Sequence, residues 1–281
     1  MPPAPALLPL AQWPIDVRRR LIGVFTDIDD TLTTDGAITP DALAALHDLR
    51  RAGLAVIAIT GRSVGWSEAV TRGWPVNAVV AENGAVALRF SRGNAPEPNT
   101  DADSLLSKIY QQDAPTRAAN FARMQQVARR VLREVPLAQL ARDSDGRETD
   151  IAIDHGEFAR LEPARIAQVV RIMQAEGMMA TVSSIHVNGW YGAHDKLAGA
   201  RWIARELLHR ELDAEIERWA YVGDSTNDQV MFEHFANSIA VANIARFLPG
   251  ITHPPRYLTQ AERGAGFAEV AAAILAVRRP V

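Results

Sequence analysis

Three aspartates follow a short apolar run near the start of the chain, in the segment LIGVFTDIDDTLTT that begins at Leu21. The run from Leu21 to Phe25 is apolar apart from one glycine, which predicts a strand buried on both faces. Asp27, Asp29 and Asp30 then lie at the carboxyl end of that strand, where open α/β sheets bind ligands. Carboxylates this close repel one another unless a proton or a cation neutralises them, and hard oxygen ligands suit Mg²⁺. The cluster therefore favours a magnesium site over a polar turn that merely caps the next helix.

Three further polar segments lie at the ends of predicted elements. Because the carboxyl ends of parallel strands meet at one edge of a sheet, we expect the hydroxyl of Thr60 at the same edge as Asp27. The three segments are Thr60-Gly61-Arg62 after the apolar run 54–59, Asp195-Lys196 at the start of a predicted helix, and GDSTND at 223–228 after the apolar run 219–222.

The elements that must position these residues alternate between strand and helix. Thr39 and Pro40 predict the start of a helix that Gly53 ends. A strand, a helix and a strand of this length imply a right-handed parallel crossover. The sequence therefore predicts an α/β core with a doubly wound parallel sheet.

The middle of the chain differs from the core in composition and in its pattern of predicted elements. A loop-like composition over 91–103 precedes predicted helices near 116–134 and 163–176 and predicted strands at 149–153 and 180–187. We interpret residues 89–191 as an inserted α+β domain, a small sheet with helices on one face. The core then comprises residues 21–88 and 192–281, with its last strand predicted at 238–241 and a closing helix at 267–277. Residues 1–20 are expected to form a loosely ordered leader, which lacks the basic start of a signal peptide.

The composition excludes several classes of protein. With 30 Lys and Arg against 33 Asp and Glu among 281 residues, the net charge of -3 gives no sign of a nucleic-acid or membrane partner. No cysteine is present, so disulfides and thiolate metal sites are excluded and a reducing cytoplasm is the natural setting. No uninterrupted apolar run reaches the roughly 20 residues that span a bilayer. The oligomeric state stays open.

Taken in order, four segments resemble the motifs of the haloacid dehalogenase superfamily of phosphohydrolases. They are DIDDT at 27–31, TGR at 60–62, DK at 195–196 and GDSTND at 223–228. The insertion between the second and third motifs is similar to that of subclass IIB, which includes Cof-type sugar phosphatases, sucrose and trehalose phosphate phosphatases, mannosylphosphoglycerate phosphatases and phosphomannomutase. The resemblance implies a Rossmann-like core with an inserted cap domain.

The resemblance also implies a role for each motif residue. Asp27 would be the nucleophile that forms an aspartyl phosphate, and Asp29 would protonate the leaving oxygen and later accept a proton from water. The phosphoryl group would be bound by Thr60, Gly61, Lys196 and Asn227, and Mg²⁺ by Asp27, the backbone carbonyl of Asp29, Asp224 and Asp228.

The inserted domain is expected to choose the substrate, as the cap does in subclass IIB. Two segments are similar to patterns of mannosylphosphoglycerate phosphatases. Part of the predicted last strand of this domain, TVSSIHVNGWYGAHDK, is similar to their HVTGG.HDK. The segment ENGA at 82–85 is similar to their ENGG. The side chains weighed as substrate contacts, against solvated or structural roles, are Arg62, Arg142, Arg147, Asp154, His155, Ser184, His186 and Asn188.

Asp30 departs from the family pattern, which has glycine there. A turn that requires positive φ tolerates aspartate, so we expect the loop to form. The additional charge is expected to change the metal affinity or the pH dependence.

These observations favour a Mg²⁺-dependent phosphatase for a small phosphorylated metabolite, a sugar phosphate. A phosphosugar mutase, which returns the phosphoryl group to a sugar, and a non-catalytic phospho-ligand-binding protein remain as alternatives. A receiver domain has neither the second acid nor an insertion of this size. A class II terpene cyclase is all helical, which the strand before Asp27 contradicts.

Overall fold

In the computed structural model, which describes residues 7–90 and 106–278, the chain forms two β-sheets of unequal size and a short hairpin. The strands are β1 (Leu8–Pro9), β2 (Gly23–Thr26), β3 (Thr33–Thr34), β4 (Ala37–Ile38), β5 (Ala55–Ile59), β6 (Ala78–Ala81), β7 (Val86–Phe90), β8 (Leu106–Tyr110), β9 (Gln139–Leu140), β10 (Ile151–Asp154), β11 (Met179–Val182), β12 (His186–Trp190), β13 (Trp219–Gly223), β14 (Asn237–Ala240) and β15 (Tyr257–Leu258). The helices are α1 (Ile15–Arg20), α2 (Pro40–Arg51), α3 (Val64–Gly73), α4 (Ala114–Glu134), α5 (Pro163–Ala175), α6 (Lys196–Leu208), α7 (Gln229–His234) and α8 (Arg263–Leu275).

The larger sheet has the strand order β1-β15-β14-β13-β2-β5-β6-β7-β8 over the described residues. The pairs from β1 to β6 are parallel, and β7 and β8 extend the sheet as antiparallel strands. Apolar residues of α2 and α8 pack on one face, and those of α6 and α7 pack on the other. The doubly wound parallel sheet that the sequence predicts is therefore confirmed, with β2 at its centre.

Local signals placed the start of α2 correctly. The hydroxyl of Thr39 accepts a hydrogen bond from the backbone N–H of Ala42 at 3.4 Å, and Pro40 occupies the first helical position. The cap satisfies one of the N–H groups that the first helical turn leaves without a partner.

The smaller sheet has the antiparallel order β11-β12-β10-β9, with α4 and α5 packed against it around one apolar cluster. We call β9 to β12 with α4 and α5 the small-sheet unit, and the rest the large-sheet unit.

The predicted start of the inserted domain at residue 89 is wrong, because residue 89 lies inside β7, which pairs with β8 in the larger sheet. The strand predicted at 180–187 is two strands, since Ser183 Oγ accepts bonds from the N–H groups of Ile185 and His186 and closes a turn there.

Residues 8–20 are not a loosely ordered leader, as the sequence had suggested. Strand β1 pairs with β15, which itself follows the predicted last strand. Trp13 is 1% exposed, stacks near Tyr257 at 5.8 Å between ring centroids, and donates from Nε1 to Asn237 Oδ1 at 3.1 Å. The apolar residues of this segment therefore cover the edge of the large sheet, more than 200 residues away along the chain. Residues 1–6 of that predicted leader and the loop-like segment 91–103 lie outside the described residues.

No helix in the described ranges combines the length and the apolar character needed to cross a membrane.

Candidate active site

Three buried carboxylates meet at the carboxyl edge of the larger sheet. Strand β2 ends one residue before Asp27, and β13 ends one residue before Asp224. Asp27, Asp224 and Asp228 each offer an oxygen within 4.8 Å of the others. Gly223 is required there, because a Cβ at that position would lie 2.6 Å from the carboxyl carbon of Asp228.

Lys196 is the cation of this group. Asp195 caps α6 by accepting a hydrogen bond from the N–H of Ala198 at 2.7 Å, which orients the first turn. From that turn, Lys196 Nζ donates to Asp27 Oδ1 and to Asp228 Oδ1, each at 2.6 Å. Burial opposes the charge, but Asp228 and Asp27 outweigh burial and raise the pKa of Lys196 above its usual value. We call these three carboxylates and Lys196 the strand-edge cluster.

Both carboxylate oxygens of Asp228 accept hydrogen bonds from groups of the protein. Its Oδ1 accepts from Lys196 and from the hydroxyl of Tyr221 at 2.5 Å, and its Oδ2 accepts from the N–H groups of Asp224 and Ser225 at 2.9 and 3.0 Å. Asp228 therefore shapes the loop and orients Lys196, and its additional role as a metal ligand stays a prediction. The sequence analysis missed Tyr221, although it lies two residues before the motif glycine on a predicted strand.

Asp224 keeps one oxygen open. Its Oδ2 accepts from Asn243 Nδ2 at 3.0 Å, with Arg246 Nη2 at 3.8 Å, whereas its Oδ1 is buried and has no hydrogen-bond partner among the described residues. Burial, reinforced by Asp27 and Asp228, raises the pKa of Asp224 well above its ordinary value. Burial also raises the pKa of Asp27 to about 7, against the opposing charge of Lys196.

The strand-edge cluster fits a divalent cation. Three carboxylates face one ammonium group, so the buried site carries an excess of two negative charges when all groups are ionised. The donors are hard oxygens, and residues 7–90 and 106–278 offer Asp224 Oδ1 no hydrogen-bond partner. The backbone carbonyl of Asp29 also accepts no hydrogen bond in the described part of the chain. Asp27, Asp224 and that carbonyl are therefore the residues that suit a metal best.

The predicted phosphate-binding loop follows β5, the strand beside β2. Thr60 is buried, and its hydroxyl accepts from the N–H of Arg62 at 3.0 Å. The carbonyl of Gly61 accepts from Arg147 Nη1 at 3.0 Å and from Asn188 Nδ2 at 3.1 Å, both in the small-sheet unit. Asn227, in the loop after β13, accepts from the hydroxyl of Ser225 at 2.8 Å. The structure thus brings the predicted motif residues to one edge of the sheet.

The predicted substrate contacts divide into those with partners inside the protein and those that line a cavity. Arg62 is fully engaged by Asp29 and by Glu157, a residue that the sequence analysis did not find. His186 contacts Glu157 at 3.1 Å, and Asn188 donates to Asp150 at 2.8 Å. Arg62, through Glu157, and Asn188, through the carbonyl of Gly61, hold the two units together, whereas His186 fixes Glu157 within the small-sheet unit. That they also contact the substrate stays a prediction, because each already has a partner within the protein.

A polar cavity of about 810 Å³ lies between the two units, beside Asp29. Ser184 and His155, both weighed as substrate contacts, line it together with Phe158 of the small-sheet unit. Arg142 stacks on the ring of Phe158 at 3.6 Å, and Asp154 instead organises the loop after β10. The cavity is large enough for a small metabolite next to the carboxylates.

A second buried group of charges ties the two units together on another side. Its members, which we call the interface cluster, are Arg147, Asp143, Asp150 and Glu82. Arg147 pairs with Asp143 at 2.9 Å and with Asp150 at 2.7 Å, so it is not available to a substrate. Glu82 Oε2 accepts from the N–H and the hydroxyl of Thr149 at 2.6 and 2.5 Å, while Oε1 accepts from the N–H of Val64 at 3.0 Å. Burial, and then Asp150, raises the pKa of Glu82 to about 7.

Glu82 could have been found from the sequence. It follows β6 directly, as Asp27 follows β2, and a carboxylate after a buried strand is the signal that located the site. Glu157 had no such signal, because it lies in an irregular loop 95 residues from its partner Arg62.

Asp30 adopts the positive φ expected of it, at 56°. Its carboxylate pairs with Arg246 at 2.7 Å and with Arg263 at 3.3 Å, so its charge is met by two guanidinium groups. Its effect on metal affinity or pH dependence stays a prediction.

Comparisons with known proteins agree with this arrangement. Residues 24–117 match the family of haloacid dehalogenase-like hydrolases. None of the curated protein sequences matches the chain.

Several solved structures share the fold across most of the chain. Sucrose-phosphatase from Synechocystis sp. PCC6803, solved with sucrose and phosphate, aligns with a TM-score of 0.62 and 17% identity over 91% of this chain and 98% of its own. The C-terminal domain of trehalose-6-phosphate phosphatase from C. albicans aligns with a TM-score of 0.65 and 13% identity over 97% and 99% of the two chains. A putative HAD/COF-like hydrolase from Plasmodium vivax aligns with a TM-score of 0.65 and 15% identity over 94% and 100%. The predicted resemblance to haloacid dehalogenase-like hydrolases, and with it the prediction of an enzyme, is therefore confirmed by a sequence match over the first part of the chain and by the fold over nearly all of it.

Proposed function

We propose that this chain is a Mg²⁺-dependent phosphatase that hydrolyses a small phosphorylated metabolite, a sugar phosphate, through an aspartyl phosphate on Asp27. The observation that carries the proposal is the strand-edge cluster, in which a buried Asp27 is paired with Lys196 beside an oxygen of Asp224 that no described residue bonds. A cation and a nucleophilic carboxylate at one sheet edge suit a transferring phosphoryl group, since that reaction depends mainly on positioning and electrostatics.

In the first step, a carboxylate oxygen of Asp27 bonds to phosphorus as the bond from phosphorus to the leaving oxygen breaks. Asp29 gives that oxygen its proton. In the second step, water attacks the aspartyl phosphate, its proton passes to Asp29, and the bond between phosphorus and Asp27 breaks. Thr60, the N–H of Gly61, Lys196 and Asn227 bind and orient the phosphoryl oxygens. Asp27, Asp224 and the carbonyl of Asp29 would hold Mg²⁺, which would supply positive charge against those oxygens when bound.

The small-sheet unit acts as the substrate-selecting cap in this proposal. The cavity of about 810 Å³ places Ser184, His155 and Phe158 of that unit across from Asp29, where a leaving group would lie. Hydroxyls and charged groups there suit a leaving group with several hydroxyls, and an exposed aromatic ring suits the apolar face of a sugar. The names of two proteins with this fold, a sucrose-phosphatase and a trehalose-6-phosphate phosphatase, support the same substrate class.

The test is phosphate release from a panel of sugar phosphates and 4-nitrophenyl phosphate, with Mg²⁺ and with EDTA. We expect Asp27→Asn to lower release at least about a thousandfold, because the covalent step is lost. Asp48→Asn is the matched control, since Asp48 pairs with Arg51 on the exposed side of α2. Release that needs neither metal nor Asp27 would refute the proposal, and an isomerised sugar phosphate without free phosphate would identify a mutase instead.

A further inference from the structure

Arg62 joins the two units through ion pairs on both of its sides. Towards the large-sheet unit, Nη2 donates to Asp29 Oδ1 at 2.7 Å and Nε lies 3.0 Å from both Asp29 oxygens. Towards the small-sheet unit, Nη1 and Nη2 donate to the two oxygens of Glu157 at 3.1 and 2.8 Å. All three guanidinium nitrogens are engaged, so one cation fixes the proposed acid and a carboxylate of the other unit at the same time.

These bonds lie largely out of water. The exposed fractions of the side chains are 6% for Arg62, 13% for Asp29 and 17% for Glu157. Charge-assisted, forked bonds between guanidinium and carboxylate are strong and directional, and more so when water is excluded. Arg62 also lies over the ring of Trp66 at 5.0 Å, which restricts the guanidinium from a further side. The orientation of Asp29 therefore depends on where Arg62 is held.

Glu157 is itself held firmly within the small-sheet unit. The carboxylate of Asp154 accepts four bonds at 2.9 to 3.2 Å from the N–H groups of residues 156–159, and so fixes the loop that carries Glu157. His186 Nε2, on β12, contacts Glu157 Oε2 at 3.1 Å. Burial opposes ionisation, but the bonds from His186 and Arg62 outweigh it and lower the pKa of Glu157 to about 2. Glu157 thus presents a fixed negative charge to Arg62.

We propose that Glu157 and Arg62 are positioning residues for proton transfer, through which contact between the two units aims the carboxyl group of Asp29 at the leaving oxygen. The inference rests on the proposed phosphatase function and adds a role to it. The proton moves from Asp29 to the leaving oxygen as the bond to phosphorus breaks, and Arg62 neither gives nor takes a proton. An open arrangement, with Glu157 withdrawn, leaves Asp29 and Arg62 without this alignment.

A positioning role differs measurably from a role in binding the leaving group. Phenyl phosphate and 4-nitrophenyl phosphate have leaving groups of similar size and shape, so a lost binding contact lowers both rates by similar factors. Phenolate is a far poorer leaving group than 4-nitrophenolate and needs a proton as it departs. A misplaced acid therefore slows phenyl phosphate selectively.

The experiment compares kcat/KM for the two aryl phosphates in wild type and in Glu157→Gln, with saturating Mg²⁺. We expect Glu157→Gln to lower the value for phenyl phosphate at least about tenfold more than the value for 4-nitrophenyl phosphate, since general acid catalysis contributes about 10²–10⁴-fold. Glu176→Gln is the matched control, because Glu176 pairs with Arg130 on the exposed side of the same unit. It should leave the ratio of the two values unchanged.

Arg62→Lys gives an independent check, since lysine keeps the charge but lacks the fork that spans both carboxylates. The same selective loss is expected, in a variant whose thermal unfolding shows that it is folded. Equal losses on both substrates in Glu157→Gln and Arg62→Lys would overturn the positioning role while leaving the phosphatase intact. No release from either substrate by wild type would overturn the phosphatase proposal, and this inference with it.

Discussion

The strand-edge cluster and the interface cluster have the same number of cations and carboxylates but differ in whether every carboxylate oxygen has a hydrogen-bond donor. Each contains one cation and three carboxylates, and both are almost entirely buried. In the interface cluster the surplus carboxylate oxygens accept bonds from fixed donors: Thr149 bonds Glu82, Asn188 bonds Asp150 and the N–H of Ser63 bonds Asp143. In the strand-edge cluster Asp224 Oδ1 has no such donor among the described residues. Composition alone therefore does not distinguish the two clusters, whereas the unpartnered carboxylate oxygen among the described residues does.

The largest expected difference concerns loss of the cation from each cluster. Removing one partner of a buried ion pair costs about 3–5 kcal/mol, so both Lys196→Met and Arg147→Met should unfold at lower urea concentration than wild type in EDTA. Mg²⁺ can offset the missing charge only where a carboxylate oxygen is open. We therefore expect saturating Mg²⁺ to shrink the stability deficit of Lys196→Met relative to wild type and to leave that of Arg147→Met unchanged.

The loss of the cation can also be followed through phosphatase activity. Lys196→Met should lose at least about a hundredfold in kcat, because one stabilising donor to the phosphoryl group is gone. Deficits that Mg²⁺ reduces equally in both variants would show that the clusters are alike, contrary to the comparison.

A smaller effect concerns the pH dependence of the interface cluster. The pKa of Glu82 rises from 4.5 to about 7 on folding, chiefly because of burial, so the folded protein binds more protons than the unfolded chain between these values. Stability from this group is therefore present below pH 4.5 and is lost as the pH rises towards 7. Glu82→Gln has no ionisable group at this position and does not lose this stability. From pH 5 to pH 8 the unfolding free energy of wild type should therefore fall by about 2 kcal/mol relative to that of the variant.

The measurement is urea unfolding of both proteins at the two pH values. Glu148→Gln provides the control, because Glu148 lies in the loop whose backbone contacts Glu82 but its own carboxylate is partly exposed beside Lys108. A difference that is independent of pH would mean that Glu82 is ionised throughout, held by the donors around it.

The smallest expected effect tests the open oxygen of Asp224. Asp224→Asn replaces a carboxylate at the proposed metal site with an amide, and the Mg²⁺ concentration for half-maximal activity should rise at least about tenfold. Asp143→Asn makes the same change in the interface cluster and should leave that concentration within about twofold. A similar rise in both variants would place the metal dependence outside the strand-edge cluster.

The motif residues were predictable because their signals are local. Asp27 and Thr60 follow apolar runs that each form a buried parallel strand, and the direction of the chain alone sets which end of the strand they occupy. Thr39 and Pro40 fixed the start of α2 for the same reason. The prediction of a loosely ordered leader was wrong because β1 pairs with β15, a strand of two residues at the far end of the chain.

The sequence by itself determined the alternation of strands and helices in the core, the carboxylates at the sheet edge and the lysine that begins α6. These depend on hydrophobic periodicity, caps and turns, which act over a few residues. Only the tertiary structure decided that Arg62 is occupied by Asp29 and Glu157, that Arg147 is buried between carboxylates, and that Asp224 keeps an open oxygen. Hydrogen-bond partners are chosen among side chains that folding brings together from distant parts of the chain, so no local pattern records which donor an oxygen will find.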